Sequence, residues 1–152
     1  MTPRHDDVVL NYTVAYPDTD AGGVVYHGRY LEMAERARNN LILSTGLSYA
    51  SLSQDHETLL VVHKINAVYH ASAILEDRLQ INTKLIRCEA VRTVWLTTIM
   101  RGESLLASIT AELIALYPGT RGVRRHPDIL LEKLTPFIEQ APEKSRPSRG
   151  AS

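Results

Sequence analysis

Two aspartates one residue apart, Asp18 and Asp20, precede a glycine pair, Gly22 and Gly23, and then His27, all within the stretch YPDTDAGGVVYH. Paired carboxylates can chelate a divalent cation, share a proton or divide catalytic and structural work. In an extended segment both would project on one side, an inference that weakens once a turn begins at Ala21. Alone, such a pair more often caps a turn or a helix than performs chemistry. The glycines admit backbone conformations that other residues resist, and they let a ligand approach the main chain with no Cβ in the way. His27 could serve as a general base, because an ordinary imidazole titrates near neutrality, or it could be a satisfied histidine at a helix start. Tyr16 could orient an aspartate through its hydroxyl or pack against a helix.

The surrounding elements decide how these groups can meet. VVLNYTVAY, residues 8–16, is rich in β-branched and aromatic side chains and stops at Pro17, which predicts a first strand. Tyr30, Ala34, Ala37 and Leu41 then recur at three- and four-residue spacing, which predicts a helix over 28–43. Leu31, Met33 and Ile42 widen its apolar face, while Glu35, Arg36, Arg38 and Asn39 lie largely elsewhere on the wheel. Gly46 is a plausible C-terminal cap. The glycine pair therefore sits just ahead of a helix N-terminus, where unpaired amides and the helix dipole favour negative charge developing on an oxygen. Such an arrangement would put a carboxylate on one side of a reacting carbonyl and backbone donors on the other.

The second half changes character. Residues 58–73, 77–90, 92–102 and 104–118 alternate or are β-branched, and the short connections around EAVR and RGES predict antiparallel hairpins and a meander. Asp128 would cap a terminal helix in DILLEKLTPFIEQ, and residues 141–152 read as a disordered tail, leaving one domain over 1–140. The order strand, long helix, four strands predicts an α+β domain in which an antiparallel sheet wraps one long central helix. Each large helix side chain so buried would contribute about 2 kcal/mol.

Composition narrows the function classes. The 152 residues are 44% hydrophobic and 22% charged, and 17 basic against 17 acidic residues cancel, so neither nucleic acid nor an acidic membrane surface is an expected partner. No run approaches the length of a membrane span, and one cysteine, Cys88, permits no internal disulfide and no multi-cysteine zinc site. These features read as soluble and cytoplasmic. His63 and His70, seven apart in a predicted strand, fall on opposite faces with no acidic or cysteine partner, so no metal is expected. The GxSxG elbow of serine hydrolases is absent, and Cys88 reads as a packed thiol.

YPDTDAGGVVYHGRYLEMAERAR strongly resembles the signature of the hotdog-fold acyl-CoA thioesterases, in particular the 4-hydroxybenzoyl-CoA thioesterase branch. VYHASAILEDRLQINTKL resembles that family's second and third strands, and the likeness in element order runs from about residue 8 to 138. The resemblance implies a hotdog fold and hydrolysis of an acyl-CoA or acyl-carrier-protein thioester without a cofactor. It implies Asp20 as nucleophile or general base, the His27 amide as the donor that polarises the thioester carbonyl, and Tyr16 and the His27 side chain as companions. The expected substrate-contacting stretch is Gly22, Gly23, Val24, Val25 and Tyr26, with Asp18 left as a turn or support residue. It also implies a homodimer or a dimer of dimers with acyl pockets between subunits, and cations for the coenzyme A phosphates drawn from Lys64, Arg87, Arg92, Arg121, Arg124 and Arg125. A non-catalytic acyl-thioester binder and a hydratase are the competing expectations, since fold alone does not guarantee chemistry.

Overall fold

A computed structural model describes residues 8–138. Strand β1 spans Val9–Thr13, helix α1 His27–Ser44, helix α2 Tyr49–His56, and strands β2 to β5 span Leu59–Tyr69, Arg78–Cys88, Arg92–Arg101 and Ser104–Leu116. Helix α3, Asp128–Leu134, runs on into a 3-10 turn at Thr135–Phe137. The expected tail over 141–152 lies outside the described residues. Among those described, no helix is long and apolar enough to cross a membrane.

All five strands join one antiparallel sheet in the order β1-β3-β4-β5-β2. The meander predicted from the short connections is β3-β4-β5. Strand β2 is not beside β3; the 70–77 connection carries the chain across the sheet from the β2 edge to β3, which lies between β1 and β4, and β2 pairs with β5. Helix α1 lies across β3 and β4 and buries Tyr30, Met33, Ala34, Ala37, Leu41 and Ile42, as its spacing predicts. It stops where the Thr45 amide turns back to the Ile42 carbonyl, and Gly46 follows at φ 93°, a conformation glycine adopts without strain. This is the hotdog architecture: one long helix enfolded by an antiparallel sheet.

Four sequence expectations need correction. The first strand ends at Thr13, because Tyr16–Asp18 coils into a 3-10 turn with Pro17 inside it. Arg38, expected on the polar side of α1, is only 3% exposed. Its position extends the apolar stripe by one turn from Ala34, and α2 brings Tyr49 against its guanidinium. Asp128 is the first residue of α3 rather than its cap, a place taken by Pro127. His63 falls at a register shift in β2 and His70 beyond its end, so the two histidines do not alternate along one regular strand.

Candidate active site

The DTDAGGVVY stretch is a small hairpin. Thr19 bridges Val25 in antiparallel fashion, the Asp20 amide donates to the Val24 carbonyl at 2.9 Å, and the Tyr26 amide donates to the Asp18 carbonyl at 2.9 Å. Ala21, Gly22 and Gly23 form the loop, and Gly23 takes φ 82°, the left-handed conformation such a three-residue turn requires. The glycines therefore reverse the chain within the hairpin, and the helix starts only after its second arm. Asp20 engages their amides itself: Oδ1 accepts from Gly22 at 2.8 Å and its carbonyl from Gly23 at 3.0 Å.

That hairpin is pinned to the 70–77 connection. The Val25 amide donates to the Ala73 carbonyl at 2.9 Å, Val24 bridges Ile74, and the Ala73 amide donates to the Tyr30 hydroxyl of α1 at 2.9 Å. Asp77 closes the connection, with Oδ2 accepting from the Ile74 amide at 2.9 Å and from Arg101 at 2.7 Å. These bonds hold the Asp77 carboxyl below the usual carboxylate range, the Ile74 amide contributing most. Hairpin, connection and helix start thus form one rigid corner.

The two aspartates part company there. Asp18 is 3% exposed and fully engaged, with Oδ1 accepting from the Tyr12 hydroxyl at 2.7 Å and Oδ2 from the Ala15 amide at 2.9 Å. Arg29 Nε lies 3.4 Å from Oδ1. Asp20 is exposed and forms no ion pair among the described residues. Tyr16 is 76% exposed, so the tyrosine that orients an aspartate inside this chain is Tyr12, and the aspartate it orients is Asp18.

Helix α1 opens at His27 with Tyr26 as N-cap and no side chain capping it. The Arg29 amide turns back to the Tyr26 carbonyl at 2.8 Å; the His27 and Gly28 amides have no acceptor among the described residues. The Tyr26 ring folds over Gly28 so closely that a Cβ there would meet it at 2.6 Å, and a larger residue would make this exposed ring swing aside. His27 is exposed, stacks obliquely on Tyr26 at 4.7 Å, and its carbonyl accepts from the Tyr69 hydroxyl at 3.2 Å. Tyr69 in turn meets Tyr30 edge-on at 5.5 Å. An open helix terminus thus stands among aromatic rings, beside the hairpin that carries an unpaired carboxylate. Val24 is half-buried and Val25 is packed in the core, so Val25 reaches a ligand only through the backbone it positions.

Of the six cations expected to meet phosphate, three are engaged. Arg87 faces Glu89 at 3.6 Å and Arg92 faces Glu112 at 3.4 Å. Arg124 donates to the His56 and Glu57 carbonyls, closing the end of α2, and lies over the Tyr117 ring. Lys64, Arg121 and Arg125 make no ion pair among the described residues. Cys88 is half-buried, and burial, aided by Glu89, pushes its thiol pKa up, away from a reactive thiolate. Sequence reasoning missed Tyr12, Arg29, Tyr69 and Ala73, none of which carries a motif; only the closeness of Tyr12 to the aspartates hinted at a role.

An antiparallel sheet around a single long helix is the hotdog class of fold, and the relatives that share it with this chain are thioester hydrolases. Residues 14–134 match the model of the thioesterase-like superfamily, and the chain belongs to that family. The acyl-CoA thioesterase YbgC of Haemophilus influenzae is 32% identical over 100 residues, covering 66% of this chain and 74% of that protein. The acyl-CoA thioester hydrolase YbgC of Escherichia coli is 35% identical over 101 residues, covering 66% and 75%. Among solved structures, a 1,4-dihydroxy-2-naphthoyl-CoA thioesterase from Synechocystis superposes with a TM-score of 0.78 over 84% of this chain and 95% of that one. At 24% identity, this last likeness speaks to the fold alone.

Proposed function

We propose that the chain hydrolyses acyl-CoA thioesters to the free acid and coenzyme A thiol, with Asp20 as nucleophile or general base. The observation that carries this reading is the hairpin ladder, which joins the arm bearing an exposed Asp20, free of ion pairs among the described residues, to Tyr26, whose next two amides lack acceptors among them. A thioester carbonyl at the helix start would receive the His27 amide as its oxyanion donor, with the Gly28 amide beside it. In the nucleophilic course, an Asp20 oxygen attacks the carbonyl carbon and the C–S bond breaks to release thiolate. Water then hydrolyses the mixed anhydride and restores the carboxylate. In the general-base course, Asp20 takes a proton from the attacking water. The His27 imidazole and Tyr16, both exposed here, complete the set, and Gly22, Gly23, Val24 and Tyr26 border it. Lys64, Arg121 and Arg125 are the cations left for the coenzyme phosphates. Acyl-CoA as substrate is supported by the YbgC relatives.

The assembly follows from β2. It is an eleven-residue edge strand whose outer edge is unpaired among the described residues, and it exposes Val62, Ile65, Val68 and Tyr69. Two copies pairing along that edge would bury the row and wall in the exposed site, giving a homodimer or a dimer of dimers. A strictly monomeric mass by light scattering would refute it. A single cysteine and a coenzyme A substrate fit a cytoplasmic location.

Release of thiol from a panel of acyl-CoAs tests the activity. Asp20→Asn is expected to lower turnover by about a hundredfold or more while fold and assembly persist. Near-normal hydrolysis by that variant would sink the mechanism, and binding without thiol release would identify a carrier instead.

A further inference from the structure

We propose that Asp18, held by Tyr12 and Arg29, is the positioning residue that fixes Asp20 relative to the amides at the start of α1, an inference that rests on the thioesterase reading above. Asp18 is bonded on both sides of the proposed site, by its side chain to β1 and by its carbonyl to the N-cap of α1. Its side chain ties the 3-10 turn to β1 through the Tyr12 hydroxyl at 2.7 Å, and closes the turn on the Ala15 amide at 2.9 Å. Its carbonyl accepts from the amide of Tyr26, the N-cap of α1. Asp20 lies two residues after Asp18, and His27 follows Tyr26 directly. The separation between nucleophile and oxyanion donor is therefore set across the short hairpin ladder, whose bond nearest the helix is accepted by a residue anchored through a buried carboxylate.

Arg29 completes the clamp from the first turn of the helix. Its Nε lies 3.4 Å from Asp18 Oδ1, Nη2 donates to the Pro17 carbonyl at 3.1 Å, and Nη1 donates to Glu32 at 2.7 Å. A helix held this way cannot rotate its first turn without breaking contact with the 3-10 turn. The clamp has an electrostatic side as well. A second carboxylate near Asp20 would oppose a developing oxyanion, but the Asp18 charge is taken up by the Tyr12 hydroxyl, the Ala15 amide and the Arg29 guanidinium, beside a cavity of about 200 Å³ lined by Tyr12, Asp18, Arg29, Glu32 and Arg36. Neither Asp20 nor His27 lines that cavity. The pattern DxD then has divided roles: the first carboxylate builds, the second reacts.

Three variants test the clamp: Asp18→Asn, Tyr12→Phe and Arg29→Met, each verified as folded by circular dichroism and sizing. Kinetics on an acyl-CoA thioester are expected to show kcat down about tenfold in Asp18→Asn and about threefold in the other two, with KM within about twofold, the mark of lost alignment rather than lost binding. The double variant Tyr12→Phe/Arg29→Met should reach the Asp18→Asn level without exceeding it, because both partners act through one carboxylate. Amide exchange followed by NMR should speed up at Asp20 and Tyr26 while β3 and β4 keep wild-type protection. If Asp18→Asn does not fold, the two partner variants decide. A wild-type kcat in folded variants, or a change confined to KM, overturns the clamp. A wild-type chain that releases no thiol from any acyl-CoA refutes the thioesterase reading instead; unchanged exchange at Asp20 and Tyr26 would then independently overturn the clamp.

Discussion

The two ends of α1 are held by different physics. Its C-terminal half sits on a cluster built from large apolar side chains, with Leu41 and Ile42 against Trp95, Leu85, Leu130 and Phe137, and two further helices cover it. Its N-terminal half rests on Leu79, Ile81, Ile99 and Ile109 of the sheet, and what closes over it is loop, with Val14, Val25 and Ala73, rather than helix. There the fixing is done by directed bonds: Ala73 to Tyr30, Val25 to Ala73, Tyr12 to Asp18. Apolar volume supplies stability but tolerates small shifts, whereas hydrogen bonds of fixed geometry place amides and carboxylates. One end therefore anchors the domain, and the other holds in place the groups of the proposed site.

The comparison is broken most forcefully at the anchor. Trp95 is fully buried and donates through Nε1 to Thr93 Oγ1 at 2.8 Å. Trp95→Ala should cost about 3–5 kcal/mol of stability by urea unfolding. Activity per folded molecule should remain near wild type, because no bond of the active corner passes through Trp95. A variant that keeps its stability but loses turnover would reverse the assignment of the two ends.

The opposite dissociation belongs to Tyr30. Tyr30→Phe removes the acceptor for the Ala73 amide and leaves that donor buried, which should cost about 1–3 kcal/mol. Its effect on kcat should outrun its effect on stability, since Ala73 also receives the Val25 amide and so seats the hairpin. Thiol-release kinetics beside urea midpoints for both variants give the four numbers needed; equal ratios of lost activity to lost stability would erase the distinction.

Much of the anchor was readable in the sequence, because periodicity reports burial directly: the apolar spacing from Tyr30 to Ile42 marked the helix, and EAVR and RGES marked two hairpins. The position of β2 was not readable, since a longer connection fixes neither partner nor edge. At the site, spacing brought Asp18, Asp20, the glycines and His27 into one short stretch but left their roles open, and family resemblance singled out Asp20. Tyr12 and Arg29 stayed hidden because their role depends on where β1 ends. A strand stopping at Thr13 instead of Tyr16 hands the aspartate to a different tyrosine. Arg38 was misplaced for a related reason: a wheel shows one helix, and α2 is what buries it.

The smallest expected effect separates the proposed site from the rest of the fold by acid. His126 is buried outside the proposed site, near the β3-β4 turn, where its Nδ1 meets the Glu89 carbonyl at 2.8 Å and its Nε2 has no partner among the described residues. Burial lowers its pKa below the usual histidine value, and nearby Arg124 pushes the same way against the Glu89 bond. In the unfolded chain the ring titrates near about 6.5, so below that pH the unfolded state binds the proton more readily than the native one. Stability is therefore whole above about pH 6.5 and declines as pH falls toward the lowered native value. Asp77 at the active corner has the same sign in a lower window: its depressed pKa supports the fold above the unfolded value of about 3.9 and is lost only as pH drops through the native one. Urea unfolding from pH 7.5 to 3.5 should thus show a first decline that His126→Gln flattens and a later one that Asp77→Asn flattens. If His126→Gln leaves the upper slope untouched, acid does not separate the proposed site from the rest of the fold.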